Sequence, residues 1–111
     1  MRLLKRDHDK FGGKIVLITG ASRGIGKQTA MDFASKGVGV VILVARTQSK
    51  LVELESIIRG STELRQVNVV SYRCDVSNKR EVGELAQKVI DKFGYVDILI
   101  NNAGIGIYGN L

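Results

Sequence analysis

The stretch from residue 14 to residue 27, KIVLITGASRGIGK, holds the residues whose types and spacing point most directly to chemistry. An apolar run (Ile15, Val16, Leu17, Ile18) stops at Thr19. Gly20, Gly24 and Gly26 then crowd a tight turn before a helical pattern begins. That order spells a strand, a loop of phosphate size and a helix N-terminus. Glycine suits such a loop because a side chain would hold the backbone away from a pyrophosphate, and because a strand turning at once into a helix needs unusual φ/ψ. A helix starting near Gly24 offers unpaired N–H groups and the positive end of its dipole to an anion. Ser22 is placed to cap that helix. Arg23 is a loop cation, either solvated or within reach of a phosphate.

The rest of the chain repeats strand and helix around this loop. The first strand covers about residues 14–19. The next helix carries Ile25, Thr29, Ala30, Phe33 and Ala34 on one face, with Gly37 as its stop. Residues 38–45 are apolar almost throughout, as in a strand buried on both faces of a parallel sheet. A second helix over 48–59 shows Leu51, Leu54, Ile57 and Ile58 and ends at Gly60 and Ser61. Residues 67–74 place polar side chains on both faces, which suggests a sheet edge. Ser77 or Asn78 then caps a third helix, with Glu81 near its positive end and an apolar stripe of Val82, Leu85, Ala86, Val89, Ile90 and Phe93. Gly94 ends it, and residues 96–100 form a fourth strand, apolar except at Asp97.

Right-handed crossovers between such elements build an α/β doubly wound parallel sheet of the Rossmann-like type, with strand order 3-2-1-4. A ligand would lie across the carboxyl ends of strands one and four, where the winding reverses. In that order strand four is an outer edge, yet Ile98, Leu99 and Ile100 read as a central strand. The expectation is an incomplete four-stranded fold, or one that pairs with another polypeptide along that edge.

The 111 residues suit one domain, and 44% hydrophobic with 25% charged residues describes an ordinary globular chain. One cysteine, Cys74, allows no intrachain disulfide. That favours a reducing compartment, and with no apolar run of about 20 residues and no signal-peptide core the expected location is cytoplasmic. Residues 1–14 carry five basic and two acidic side chains, so +3 of the net charge of +6 sits there. Residues 1–13 read as a basic leader. Its mixed signs and single aromatic, Phe11, argue for a solvated segment and against a nucleic-acid arm, with His8 one more polar residue. No cluster with metal-ligand spacing is present.

Two further motifs follow predicted strands: Cys74-Asp75-Val76 after the third, and Asn101-Asn102-Ala103-Gly104 after the fourth. The first loop reads Thr-Gly-x-x-x-Gly-x-Gly and not G-x-G-x-x-G. The three motifs in this order resemble those of the short-chain dehydrogenase/reductase family, from about residue 14 onward and over only the first half of such an enzyme. The resemblance implies a dinucleotide cofactor. Gly20, Ser22, Arg23, Gly24, Ile25 and Gly26 would meet its phosphates, and Asp75 would accept from the adenine amino group while Val76 lines the ring. Asn101, Asn102, Ala103 and Gly104 would steady the sheet beside the ribose. Asp75 also suits a turn start on its own account, and Cys74 reads as a small buried residue, not a reactive thiol. Gly104, Gly106 and Gly109 do spell G-x-G-x-x-G after a strand, but no helical pattern follows within these residues.

Cofactor choice turns on the end of strand two. An acidic residue there would hold the adenosine ribose hydroxyls and repel a 2′-phosphate. Ala45 and Arg46 stand there instead. With Arg23 and Arg46 able to pair with the phosphate, NADP is expected over NAD, unless Arg46 is only an exposed loop residue. Family members that transfer hydride use a Ser, and a Tyr followed four positions later by a Lys. Tyr72 is followed at that spacing by Val76 and Tyr95 by Leu99. The expectation is therefore the NADP(H)-binding portion of an oxidoreductase interconverting carbonyl and alcohol, inactive alone and with no catalytic residue of its own. The alternative is a non-enzymatic nucleotide-binding or regulatory module paired through strand four.

Overall fold

A computed structural model describes residues 11–22, 24–61 and 67–102. Seven elements alternate along them: β1 (Ile15–Thr19), α1 (Gly24–Ser35), β2 (Val40–Ala45), α2 (Gln48–Gly60), β3 (Asn68–Arg73), α3 (Lys79–Phe93) and β4 (Ile98–Asn101). The four strands form one parallel sheet in the order β3-β2-β1-β4, as the alternation of strand and helix predicts. Strand β1 lies between β2 and β4, with Thr19 level with Val44 on one side and Asn101 on the other.

Alternation along the strands sends side chains to two cores. On one face Val16, Ile18, Val41, Leu43 and Val69 pack with Ala30 and Ala34 of α1 and Leu51, Leu54 and Ile58 of α2. On the other, Ile15, Leu17, Ile42, Val44 and Cys74 meet Val89, with Leu85 and Phe93 half-buried beside them. Burying a Leu or Ile of this kind is worth about 1.5–3 kcal/mol, so the first face, with two helices, carries most of the stabilisation. Phe11 packs edge-on against Phe33 with ring centroids 5.4 Å apart, and Gly12 bridges to Val38.

Two helical faces differ from the sequence expectation. Ile25, assigned to the apolar face of α1, is 69% exposed; the buried line is Gly26, Ala30 and Ala34. Small residues at i, i+4 and i+8 let the helix approach the sheet closely, and that axis turns Ile25 outward beside the loop. In α3 only Leu85, Val89 and Phe93 meet the sheet, while Val82, Ala86 and Ile90 are exposed. The adjacent strand β4 is an edge among the described residues, so nothing there covers the second row of the stripe. Of the two predicted caps, Asn78 serves α3: its side chain accepts from the amides of Arg80 and Glu81.

Asp97, immediately before β4, has a backbone role. Its Oδ2 accepts from the Ile15 amide at 2.8 Å, and its own amide donates to the Ile15 carbonyl at 2.9 Å. This reciprocal pair starts the β1–β4 ladder and fixes its register.

Candidate cofactor site

The glycine loop leaves the carboxyl end of β1, where β2 lies to one side and β4 to the other. Gly20 (φ +63°) and Gly24 (φ +56°) occupy the left-handed region that side chains disfavour. Gly26 is buried for a different reason. A Cβ built on it would lie 2.0 Å from the Gly20 carbonyl oxygen and 2.8 Å from its carbon, so the first turn of α1 rests directly on the loop backbone. A Cβ on Gly24 would meet nothing within 4 Å. The loop is thus closed on its sheet side and open on its outer side, at the N-terminus of a 12-residue helix.

Hydrogen bonds tie this loop to both neighbouring strands. The Ala21 amide donates to the Val44 carbonyl at 3.2 Å. Thr19 Oγ1 donates to Asn101 Oδ1 at 2.9 Å, and the Ile100 carbonyl lies 3.5 Å away. Thr19 and Asn101 therefore close the crevice floor between β1 and β4. Asn102 Nδ2 is buried without a partner among the described residues, a donor held at the same end of the sheet.

At the far end of the crevice, Arg46 follows β2 and is exposed, and its side chain makes no hydrogen bond or ion pair among the described residues. The Cys74 amide donates to the Ala45 carbonyl at 2.9 Å, which brings Asp75 beside Arg46. Ser77 donates to Asp75 Oδ1 through its hydroxyl at 2.7 Å and its amide at 3.0 Å. Oδ2 accepts from no described residue and is left for an outside donor. Val76 next to it is 39% exposed. Of the residues singled out from sequence, Gly20, Ser22, Gly24, Ile25, Gly26, Arg46, Asp75, Val76, Asn101 and Asn102 are described, and all lie at the carboxyl end of the sheet, in the loops leaving it or in the first turn of α1. Arg23, Ala103 and Gly104 lie outside the described residues, as do Gly106 and Gly109.

Residues 14–111 match the short chain dehydrogenase family. The chain belongs to the short-chain dehydrogenase/reductase family. Human retinol dehydrogenase 13 is 43% identical over 93 residues, which cover 84% of this chain and 27% of that protein. L-sorbose reductase from Gluconobacter frateurii, solved with NADPH and L-sorbose, superposes with a TM-score of 0.75 at 38% identity, covering 86% of this chain and 35% of that one. A xylitol dehydrogenase solved with NAD+ superposes with a TM-score of 0.73 at 33% identity, over 81% and 33% of the two chains. The chain thus spans roughly a quarter to a third of the length of these relatives.

A dinucleotide, the cofactor of this family, fits the residues present. The glycine loop has an open outer side at a helix N-terminus, and among the described residues neither Asp75 Oδ2 nor the Asn102 side-chain amide has a hydrogen-bond partner. Cys74 takes no visible part: it is 3% exposed, and burial, reinforced by the Glu81 carboxylate, pushes its thiol above the ordinary value. A polar cleft of about 530 Å³, lined in part by Gln48, Tyr72 and Lys88, includes no residue of the glycine loop. Among the described residues, no helix is long and apolar enough to cross a membrane.

The sequence assigns no partner to Thr19, Arg73 or Asp97. Their types are ordinary for a strand end or strand start, and only the pairing of distant segments gives them partners.

The two Ser77 hydrogen bonds, and then the Arg46 and Arg73 charges, hold the Asp75 carboxyl below the usual carboxylate range. A depressed folded value means that the stabilisation is present above the unfolded pKa of about 3.9 and is lost as pH falls through the lower folded value. In an acid titration the midpoint of the Ser77 amide resonance's movement should therefore lie below the ordinary aspartate value of about 3.9. Movement centred above pH 4 would contradict this, and Asp75→Asn should abolish the titration.

Proposed function

We propose that this chain is the NADP(H)-binding portion of a short-chain dehydrogenase/reductase that interconverts a carbonyl and an alcohol. The observation that carries the cofactor choice is the end of β2: a buried Ala45 and an exposed Arg46 stand at the position where an acidic residue would repel a 2′-phosphate. The structural neighbours do not choose for it, because one was solved with NADPH and another with NAD+.

In this reading the backbone amides after Gly20 and at the start of α1 bind the pyrophosphate, with Ser22 beside them. Arg46, with Arg23, pairs with the 2′-phosphate. Asp75 Oδ2 accepts from the adenine amino group, and the exposed face of Val76 lies along the ring. Ile25 shields the phosphates from its position on the first turn of α1. The turn from Asn101 through Asn102, Ala103 and Gly104 orients the ribose on the nicotinamide side. The bound nicotinamide supplies or accepts the hydride. The catalytic Ser, Tyr and Lys are contributed by sequence outside these 111 residues, so the chain alone binds cofactor without turning it over. The proposed compartment is the cytoplasm.

A titration with NADPH and NADH, followed by cofactor fluorescence, tests this. NADPH should bind at least about tenfold more tightly, as charge-assisted Arg–phosphate bonds imply; equal affinities, or tighter NADH, would overturn the NADP assignment.

A second reading is favoured by one observation. Leu99 of β4 is 64% exposed and Ile90 of α3 is 55% exposed, and Leu99 lies on the sheet face that α3 covers. A regulatory module docked to a partner polypeptide along β4 would bury them. NADPH-dependent reduction of a carbonyl panel by the full-length protein selects the enzyme; NADPH binding without turnover, with a partner chain bound along β4, selects the module.

A further inference from the structure

One ion pair in the structure joins two parts of the adenosine end that the sequence keeps apart. Glu81 Oε1, in the first turn of α3, accepts from Arg73 Nη1 at 2.9 Å and from the Asp75 amide at 2.9 Å. Arg73 Nε in turn donates to the Arg46 carbonyl at 3.2 Å. A single carboxylate therefore fixes the Asp75 turn directly and the Arg46 loop through one guanidinium. Its own position is set by Asn78, which accepts from the Glu81 amide at 3.1 Å. The other two ion pairs of the described residues, Glu55 with Arg59 and Arg80 with Glu84, each lie within one helix and touch no cofactor-site residue. The Arg73–Glu81 pair is the one that crosses between elements, and its Glu81 side chain is only 23% exposed.

We propose that Arg73 and Glu81 are positioning residues that hold the Arg46 loop and the Asp75 turn as one preformed adenosine clamp, and thereby set discrimination for a 2′-phosphorylated adenosine. The inference rests on the cofactor reading above. Fixing a residue's backbone at the moment of binding costs conformational entropy, and a loop already tied at its carbonyl avoids part of that cost. Arg46 gains most from the tie, because a guanidinium reaches a phosphate in good geometry only if its backbone is correctly placed.

The positioning role and a purely electrostatic one have opposite signs. Glu81 is a negative charge near the site of a dianionic phosphate, so if charge alone mattered its removal would tighten NADPH. Loss of the clamp weakens it.

The test uses the full-length protein and measures dissociation constants for NADPH, NADH and adenosine 2′,5′-bisphosphate in wild type, Glu81→Ala, Glu81→Gln and Arg73→Met. Glu81→Ala should weaken NADPH and the bisphosphate by about tenfold and lower the NADPH/NADH preference by at least about threefold, in the range of coupling between contacting residues. Glu81→Gln keeps an oxygen for the Asp75 amide and should recover part of the loss. In an Arg46→Ala background, Glu81→Ala should change the preference no further, a coupling that general loosening of the fold would not produce. Affinities within about twofold of wild type, or tighter NADPH in Glu81→Ala, would overturn the clamp. If Glu81→Ala does not fold, Glu81→Gln and Arg73→Met are judged by the same preference ratio. Wild type that binds neither dinucleotide overturns the cofactor reading and the clamp together; wild type that binds NADPH alongside unaffected variants overturns the clamp alone.

Discussion

Gly26→Ala is expected to abolish cofactor binding and to lower the melting temperature more than any other single methyl addition in the loop. The new Cβ would be 2.0 Å from the Gly20 carbonyl oxygen and 3.1 Å from the Ala21 Cα, all of it backbone that cannot rotate away. Either α1 lifts off the sheet, withdrawing Ala30 and Ala34 from their core, or the loop is pushed out and its amides lose their aim. Overpacking of this kind costs about 1–3 kcal/mol and occasionally more, and a backbone-on-backbone clash belongs at the upper end. With about 4–8 °C per kcal/mol for a domain of this size, the melt should fall by ten degrees or more. Gly83→Ala is the matching control: Gly83 lies within α3, a Cβ there meets nothing within 4 Å, and the change should stabilise by about 0.5–1 kcal/mol. If Gly26→Ala melts and binds as wild type does, the close approach of α1 to the loop is not a requirement of the site.

Arg46→Asp should reverse the cofactor preference while leaving the fold intact. The substitution removes a partner for the 2′-phosphate and installs a carboxylate that would accept from the ribose hydroxyls. Charge-assisted hydrogen bonds are worth about 1.5–3 kcal/mol, and repulsion adds to their loss. NADPH should therefore weaken by about two orders of magnitude, since each 1.4 kcal/mol is tenfold. NADH should hold or improve. Stability should move by no more than about 0.5 kcal/mol, because Arg46 is exposed and its side chain makes no hydrogen bond among the described residues. The nearby Asp75 supplies a second readout: Arg46 is one of the charges that depress its pKa, so the Asp substitution should raise it. Retained NADPH preference in Arg46→Asp would remove Arg46 from the phosphate site.

The strand order, the glycine loop and the turn after β3 could be read from the sequence because each depends on local signals: apolar runs of strand length, glycines at a strand-to-helix switch, Asp75 after a strand. The residues that hold these parts together could not. Asp97 reads as an interruption in an apolar strand until Ile15 is placed beside it. Glu81 reads as a favourable charge at a helix N-terminus, which it is, and nothing local says that Arg73 will lie against it. Ile25 departs from its expected face for a related reason. Periodicity identifies an apolar face but not the direction in which the helix is turned, and here the small residues Gly26, Ala30 and Ala34 decide that. The apolar stripe of α3 is wider than the sheet it meets, so sequence overestimates what is buried.

The hydrogen bonds joining Ile15 to Asp97 and Thr19 to Asn101 each close a span of 82 residues. During synthesis the strand that completes the floor of the glycine loop emerges some 82 residues after the loop's own strand. Until then β1 has one open edge, and the crevice where the winding reverses does not exist. Pairing at such separation is slow, because loop closure must precede any reward from contact. Cofactor competence therefore cannot precede the synthesis of β4, and β1, made before the other described strands, waits longest for its second neighbour.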